Sequence, residues 1–189
     1  MMSSYKVCVL KNIRDTLERY IHDNEGATAI ELSFIALPLI YFMLSIIEVA
    51  LMFTTSIVLE GATSDASRLV RTGQVQQAGA GGQDMFETAL CKAVSVLANC
   101  NDIEYEVVEI GDGWGSASGN TATFDDQGAF QSQGFNPGGV SDVVLIRAVY
   151  NYPLKTPIMS QFFGDAGKTT RMTMSTIVLQ TEPYDFDDE

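Results

Sequence analysis

Hydrophobic and polar positions divide the 189-residue chain into three regimes. From Met1 to Gly26 they are mixed, with Lys6, Lys11, Arg14 and Arg19 interspersed among acids. From Leu32 to Leu59 the chain is apolar almost without a break, interrupted by one charge, Glu48, and one proline, Pro38. A bilayer core about 30 Å thick needs about 20 helical residues, so this run predicts a transmembrane helix with length to spare. The alternative is a buried helix of a soluble protein, but such helices seldom stay apolar around the whole circumference for seven turns. The period remains helical beyond the run, with Ala62, Ala66, Leu69 and Val70 on one stripe until Thr72-Gly73 stops it. A single helix is therefore expected over residues 27–72, with its spanning part at about 32–58.

The third regime alternates elements. Gly73 to Gly82, rich in Gly, Gln and Ala, reads as a linker. Asp84 followed by Glu87 has capping-box spacing, and Phe86, Leu90, Val94 and Leu97 recur at helical intervals. After Cys100 the period changes to two: Ile103, Tyr105 and Val107 alternate with Glu104 and Glu106, which predicts a strand with one buried and one acidic face. A glycine-rich loop, residues 111–139, holds the only tryptophan, Trp114. Two more strands are expected at about Val140–Tyr152 and Thr169–Thr181. The fold class is thus α+β: a long N-terminal transmembrane helix, then residues 73–189 as a small helix plus antiparallel-sheet domain with a flexible loop at 111–139.

Charge and composition narrow the chemistry. Twenty-four acids against 11 Lys and Arg give a net charge of −13, which disfavours a nucleic-acid partner. Three cysteines and one histidine, His22, are too few for the common zinc sites or for relay chemistry. Ser116, Ser118, Asp125 and Asp126 in the glycine-rich loop lack a base to activate them. Asp112, Asp125 and Asp126 also lack the spacing of a calcium loop. An enzyme is not expected, nor a metal or cofactor, and Asp185, Asp187, Asp188 and Glu189 read as a solvated tail. Four basic residues precede the apolar run and two, Arg68 and Arg71, follow it closely, which predicts a cytoplasmic N-terminus. Cys91 and Cys100 then fall in an oxidising compartment, nine residues apart at the ends of one short helix, and a disulfide is expected between them; Cys8 lies on the reducing side.

A small-residue step, Gly26-Ala27-Thr28-Ala29, precedes the apolar run, the reverse of a secretory signal. Glu31 is the fifth residue after Gly26. The stretch Gly26-Ala27-Thr28-Ala29-Ile30-Glu31-Leu32 resembles the processing site of type IV prepilins, which a prepilin peptidase cuts after the glycine. More widely, NEGATAIELSFIALPLIYFMLSIIEVALMF resembles the opening of TadE-like pseudopilins of the tight-adherence (Flp-type) pilus machinery. Counterparts follow at Gly61-Ala62, at Ala66-Ser67-Arg68, at Arg71-Thr72-Gly73, at the pair Cys91 and Cys100, at Tyr150-Asn151-Tyr152-Pro153 and at Thr181-Glu182-Pro183-Tyr184. Two positions depart from the pattern: Ala27 stands where mature pilins usually begin with Phe, and Leu32 stands where Flp-type subunits favour Tyr.

The resemblance implies a cytoplasmic leader over residues 1–26, cleavage between Gly26 and Ala27, and a minor pilin or pseudopilin of the inner membrane with a periplasmic domain, possessing more than the bare helix of a major Flp pilin. Its implied partners are the prepilin peptidase, other pilin and pseudopilin subunits and the assembly platform. Glu31, one turn from the amine that cleavage would free, is placed to pair with it, or else simply favours the positive end of the helix dipole. Glu48, 17 residues further and roughly 25 Å along the helix, is expected at outer headgroup level, either as a tolerated interfacial acid or against a polar partner in the assembly. Pro38 frees one carbonyl in the inner half of the span. The competing class is an uncleaved single-pass anchor carrying an extracytoplasmic binding or sensing domain; a membrane-tethered enzyme would need a pocket of converging polar groups.

Overall fold

The computed structural model describes residues 25–111, 113–165 and 168–183; residues 1–24 with Cys8 and His22, Asp112, residues 166–167 and the residues from Tyr184 lie outside them. The chain divides into two compact units, Met1–Ile46 and Ile47–Glu189. Helix α1, Glu25–Arg71, contributes to both. In the first unit its side chains are exposed on every face, from Ile30 through Phe34, Leu39 and Phe42 to Ile46. Ser33 and Ser45 turn their hydroxyls onto the carbonyls four residues back, Ala29 and Tyr41, so these polar groups are satisfied within the helix.

The second unit begins where the helix gains a buried face. Glu48 is buried, and two turns on Thr55, Leu59, Ala62, Thr63, Ala66, Ser67 and Val70 continue the same side as a stripe at three- and four-residue spacing. The opposite face leaves Leu51, Phe53 and Ile57 exposed. The helix stops where Gly73 takes a left-handed conformation, φ 77°, and its N–H bonds the Val70 carbonyl. Residues expected as a linker are ordered: α2, Gln74–Gln77, buries Val75, and a single 3-10 turn spans Gly79–Gly81. Helix α3, Gly82–Val94, follows at once, and a Cβ on Gly82 would stand 2.2 Å from the Val75 carbonyl oxygen. That close approach starts the helix two residues before Asp84, so Asp84 sits inside the first turn and the expected capping box does not form. The buried stripe of α3 is Phe86, Leu90 and Val94, continued by Ala98, while Leu97 is exposed because the helix ends at Val94.

Three strands make the main sheet: β1, Ile103–Ile110; β4, Val143–Pro153; and β5, Thr170–Gln180, in the antiparallel order β1-β4-β5. The register sets Ile103 opposite Tyr150 and Ile110 opposite Val143, with Val143 opposite Gln180 and Pro153 opposite Thr170. Val144, Ile146, Ala148 and Tyr150 share one core with Leu59, Ala62, Ala66 and Val70 of α1 and with Phe86, Leu90 and Val94 of α3. Residues 113–139 cover part of the other face of the sheet, while Glu104, Met174 and Thr176 on that face stay exposed. A 3-10 segment, Gly113–Gly119, lies over Ile110, Val143 and Leu145 through Ala117. The short hairpin of β2, Thr123–Phe124, and β3, Phe130–Gln131, follows. Residues 132–136 then run along the outer edge of β1, where Val107 donates to Gly134 and Asn136 donates to Val107. Phe135 completes a ring cluster with Phe86 and Tyr105, with centroids 5.4–6.4 Å apart, which ties this segment to α3 across the edge of β1.

Of the expected acidic face, Glu104 is exposed, but β1 is covered on both sides at Glu106, which is fully buried. Its carboxylate accepts from Arg147 of β4 and from the Gln133 N–H at 3.0 Å, and Arg147 also donates to the Asn120 carbonyl. Removing one partner leaves the other charge buried, so Arg147→Met should cost about 3–5 kcal/mol, and adding Glu106→Leu should restore most of it. Urea unfolding of the detergent-solubilised full chain, followed by Trp114 fluorescence, reads this. A loss below about 1 kcal/mol for Arg147→Met would mean that water solvates the pair.

Candidate functional site

The chemistry-bearing residues gather along α1. Gly26 and Ala27 lie in its first turn; their surroundings, like the leader before them, fall outside the described side chains. Glu31 follows one turn later and is exposed. Glu48 stands apart from every other charge of the helix. It is 94% removed from solvent, and its carboxylate accepts from the backbone N–H groups of Lys155 and Thr156, the latter at 3.0 Å. These amides open helix α4, Pro157–Phe163, with Thr156 as its N-cap residue. Four N–H groups at a helix start lack partners within the helix, and a carboxylate is the strongest acceptor for them. Thr156 offers no side-chain cap of its own, so Glu48 supplies one from 108 residues away. Tyr152, the last aromatic of β4, has its phenol pushed above the usual tyrosine range by burial and then by the nearby Glu48 charge.

The sequence placed Glu48 at the headgroup or against another subunit; in the structure its hydrogen bonds are made within its own chain. Lys155 and Thr156 were not singled out. The signal was present as Thr156-Pro157, an N-cap type residue before a proline at the first helical position. The buried pair Glu106 and Arg147 was also missed, although one arginine in the otherwise apolar stretch Val143–Tyr150 requires a buried acid opposite.

A second link closes the far end of the docked stripe. The Glu182 N–H donates to the Arg71 carbonyl at 2.8 Å, and the two side chains form an exposed ion pair at 3.5 Å. Thr181 beside it is buried and donates to the Gly139 carbonyl, while its hydroxyl accepts from the Asp142 N–H. The closing Thr181-Glu182 thus caps α1.

Cys91 on α3 and Cys100 before β1 have Cα atoms 5.4 Å apart, within disulfide reach. Of the loop residues weighed for chemistry, Ser116 and Ser118 border an open cleft lined also by Glu109, Asn120 and Gln133. Asp125 accepts from the Gln127 and Ala129 N–H groups and so builds the β2–β3 turn, while Asp126 is exposed.

These features define a class: among the described residues one helix, Thr28–Arg71, is long and apolar enough to cross a membrane, and it leads into an α+β domain that packs on the end of that helix. Residues 26–68 match the family model of TadE-like proteins, so the N-terminal helix is TadE-like from the glycine of the small-residue step to the docked stripe. The match ends at residue 68, before the α3 helix and the sheet. No curated protein and no solved structure matches the chain.

The cysteine geometry gives a direct prediction. Blocking free thiols, unfolding without reductant and labelling should leave Cys91 and Cys100 unlabelled, and reduction should lower stability by about 2–3 kcal/mol for so short a loop. Complete labelling before reduction would show two free thiols.

Proposed function

We propose that the protein is a minor pilin or pseudopilin of a tight-adherence pilus, inserted in the inner membrane with its N-terminus cytoplasmic and its domain periplasmic. The carrying observation is the match of the TadE-like family model, which opens at Gly26, the residue after which a prepilin peptidase would cut. Two features of the helix support the reading. It is apolar on all sides through Ile47, as a span requires, and beyond that it offers the domain one face only. The other face leaves Leu51, Phe53 and Ile57 open to helices of neighbouring subunits. On this reading the protein is a structural subunit rather than an enzyme, and its partners are the peptidase, other pilins and pseudopilins, and the assembly platform.

Glu31 is then the assembly residue. Cleavage after Gly26 creates an ammonium group one turn away, and in a low-dielectric setting a carboxylate pairs with it, in its own chain or a neighbour's. An uncleaved anchor with a sensing domain would leave Glu31 without that amine.

Mass spectrometry of the native protein should find Ala27 as the first residue, and Gly26→Val should abolish the cut. An intact leader in cells with active prepilin peptidase would favour the anchor. Glu31→Leu should insert and be processed normally yet fail to crosslink with other subunits or support piliation. Normal piliation by Glu31→Leu at normal abundance would reduce the glutamate to a helix-start residue.

A further inference from the structure

The β4–β5 connection, residues 154–169, carries α4 and is unlike the rest of the exported chain in charge and in surface. Between Leu154 and Arg171 there are three basic residues, Lys155, Lys168 and Arg171, against one acid, Asp165, in a chain whose net charge is −13. Between Thr72 and Pro153 the balance is two basic residues, Lys92 and Arg147, to ten acids. Helix α4 buries Met159 but turns out Phe162 and Phe163, and Phe162 is 78% exposed, as much as Phe34 in the apolar run. An exposed phenylalanine between lysines is the composition of an interfacial membrane contact, with rings among acyl chains and ammonium groups at phosphates.

The level of α4 along the helix is fixed. Its first amides are bonded to Glu48, which directly follows Ile47, the last residue of the run that is apolar on every face. The turn leading into β1, whose first residue Ile103 lies opposite Tyr150 near the same end of the sheet, exposes Val96 and Leu97. Trp114 follows the opposite end of β1, where Ile110 faces Val143, roughly 24 Å away along a strand of this length.

We propose that α4 is a membrane-contact element: Glu48 holds it at the bilayer surface where the span emerges, Phe162 and Phe163 enter the headgroup–acyl boundary, and Lys155 and Lys168 meet anionic headgroups. This rests on the reading of the apolar run from Leu32 as a membrane span, with its outer end taken at Ile47, where the helix gains a buried face, rather than at about residue 58. It goes beyond that reading in assigning the domain a second, non-spanning attachment that sets its height above the lipid. The occupant is lipid rather than a second protein because α4 is bonded to Glu48, the residue directly after the run that is apolar on every face, and the connection carries the charge that headgroups attract.

The test uses the full chain in vesicles of phosphatidylethanolamine and phosphatidylglycerol containing brominated acyl chains, which quench tryptophan on contact. In a Trp114→Phe background, Leu39→Trp reports the span and Phe162→Trp reports α4; the native Trp114 reports the far end. Leu39→Trp and Phe162→Trp should each lose roughly half or more of their intensity, and native Trp114 should lose almost none. Adding Glu48→Ala to Phe162→Trp should remove most of its quenching while leaving the same change harmless to Leu39→Trp. If Leu39→Trp is unquenched, the span itself is wrong. If Leu39→Trp is quenched and Phe162→Trp behaves like Trp114, α4 does not touch lipid and the proposal falls. A blue-shifted, unquenched Phe162→Trp that reverts on about tenfold dilution of protein into lipid would place a second copy on the patch and overturn it equally. Quenching of Phe162→Trp that survives Glu48→Ala would overturn the role given to Glu48.

Discussion

One helix has to serve two solvents, and the structure is arranged around the residue where the change occurs. Up to Ile47 every backbone polar group except those at the helix start and near Pro38 is satisfied inside α1, and the side chains present apolar surface in all directions. Lipid accepts such a rod and nothing less complete. From Glu48 on, one face is removed from solvent by the sheet and α3, and the stripe Leu59, Ala62, Ala66 and Val70 becomes part of a common core with β4. The small residues of that stripe let the helix lie close to the strand, and small-residue packing also explains why hydroxyls at Thr55 and Thr63 can be buried: each donates to a carbonyl four residues back.

Much of this was legible in the residues themselves. The span is a composition signal that needs no partner to interpret, and Gly73 stops α1 for a backbone reason local to it. Strand alternation at Ile103, Tyr105 and Val107 was read correctly because those side chains meet the helices. The same alternation misled at Glu106, because whether the opposite face is wet depends on what residues 113–139 do 27 positions later, where Gln133 donates to that carboxylate. Val75 and the helix start at Gly82 were hidden for a related reason: a Gly- and Gln-rich composition favours mobility on average, while one valine and one close backbone approach fix it here. Glu48 is the hardest case, since its partners are 107 and 108 residues distant and are backbone amides, which leave no trace in side-chain identity.

The candidate site inherits that asymmetry. Gly26 and Glu31 are singled out by a fixed local offset, and the family match opens at the same glycine. The α+β domain beyond α1 lies outside the match, so its role has to be drawn from its own surfaces: a partly covered sheet, an exposed edge strand at β5, and an end of the sheet where apolar rings and lysines meet. On the reading proposed above, the assembly chemistry lies near the helix start and the individual character of the protein lies in the domain.

The links at Glu48 and at Arg71 with Glu182 have a mechanical meaning. They clamp the helix to the domain at both ends of a docked stretch of 23 residues, roughly 35 Å of helix, and β4 between Asp142 and Lys155 runs roughly 40 Å beside it. A pull along the helix axis therefore loads the two clamps and the intervening packed face in parallel, as shear, rather than peeling contacts away one after another. Sliding requires both to yield at once, so an axial force that draws the helix from the bilayer carries the domain with it.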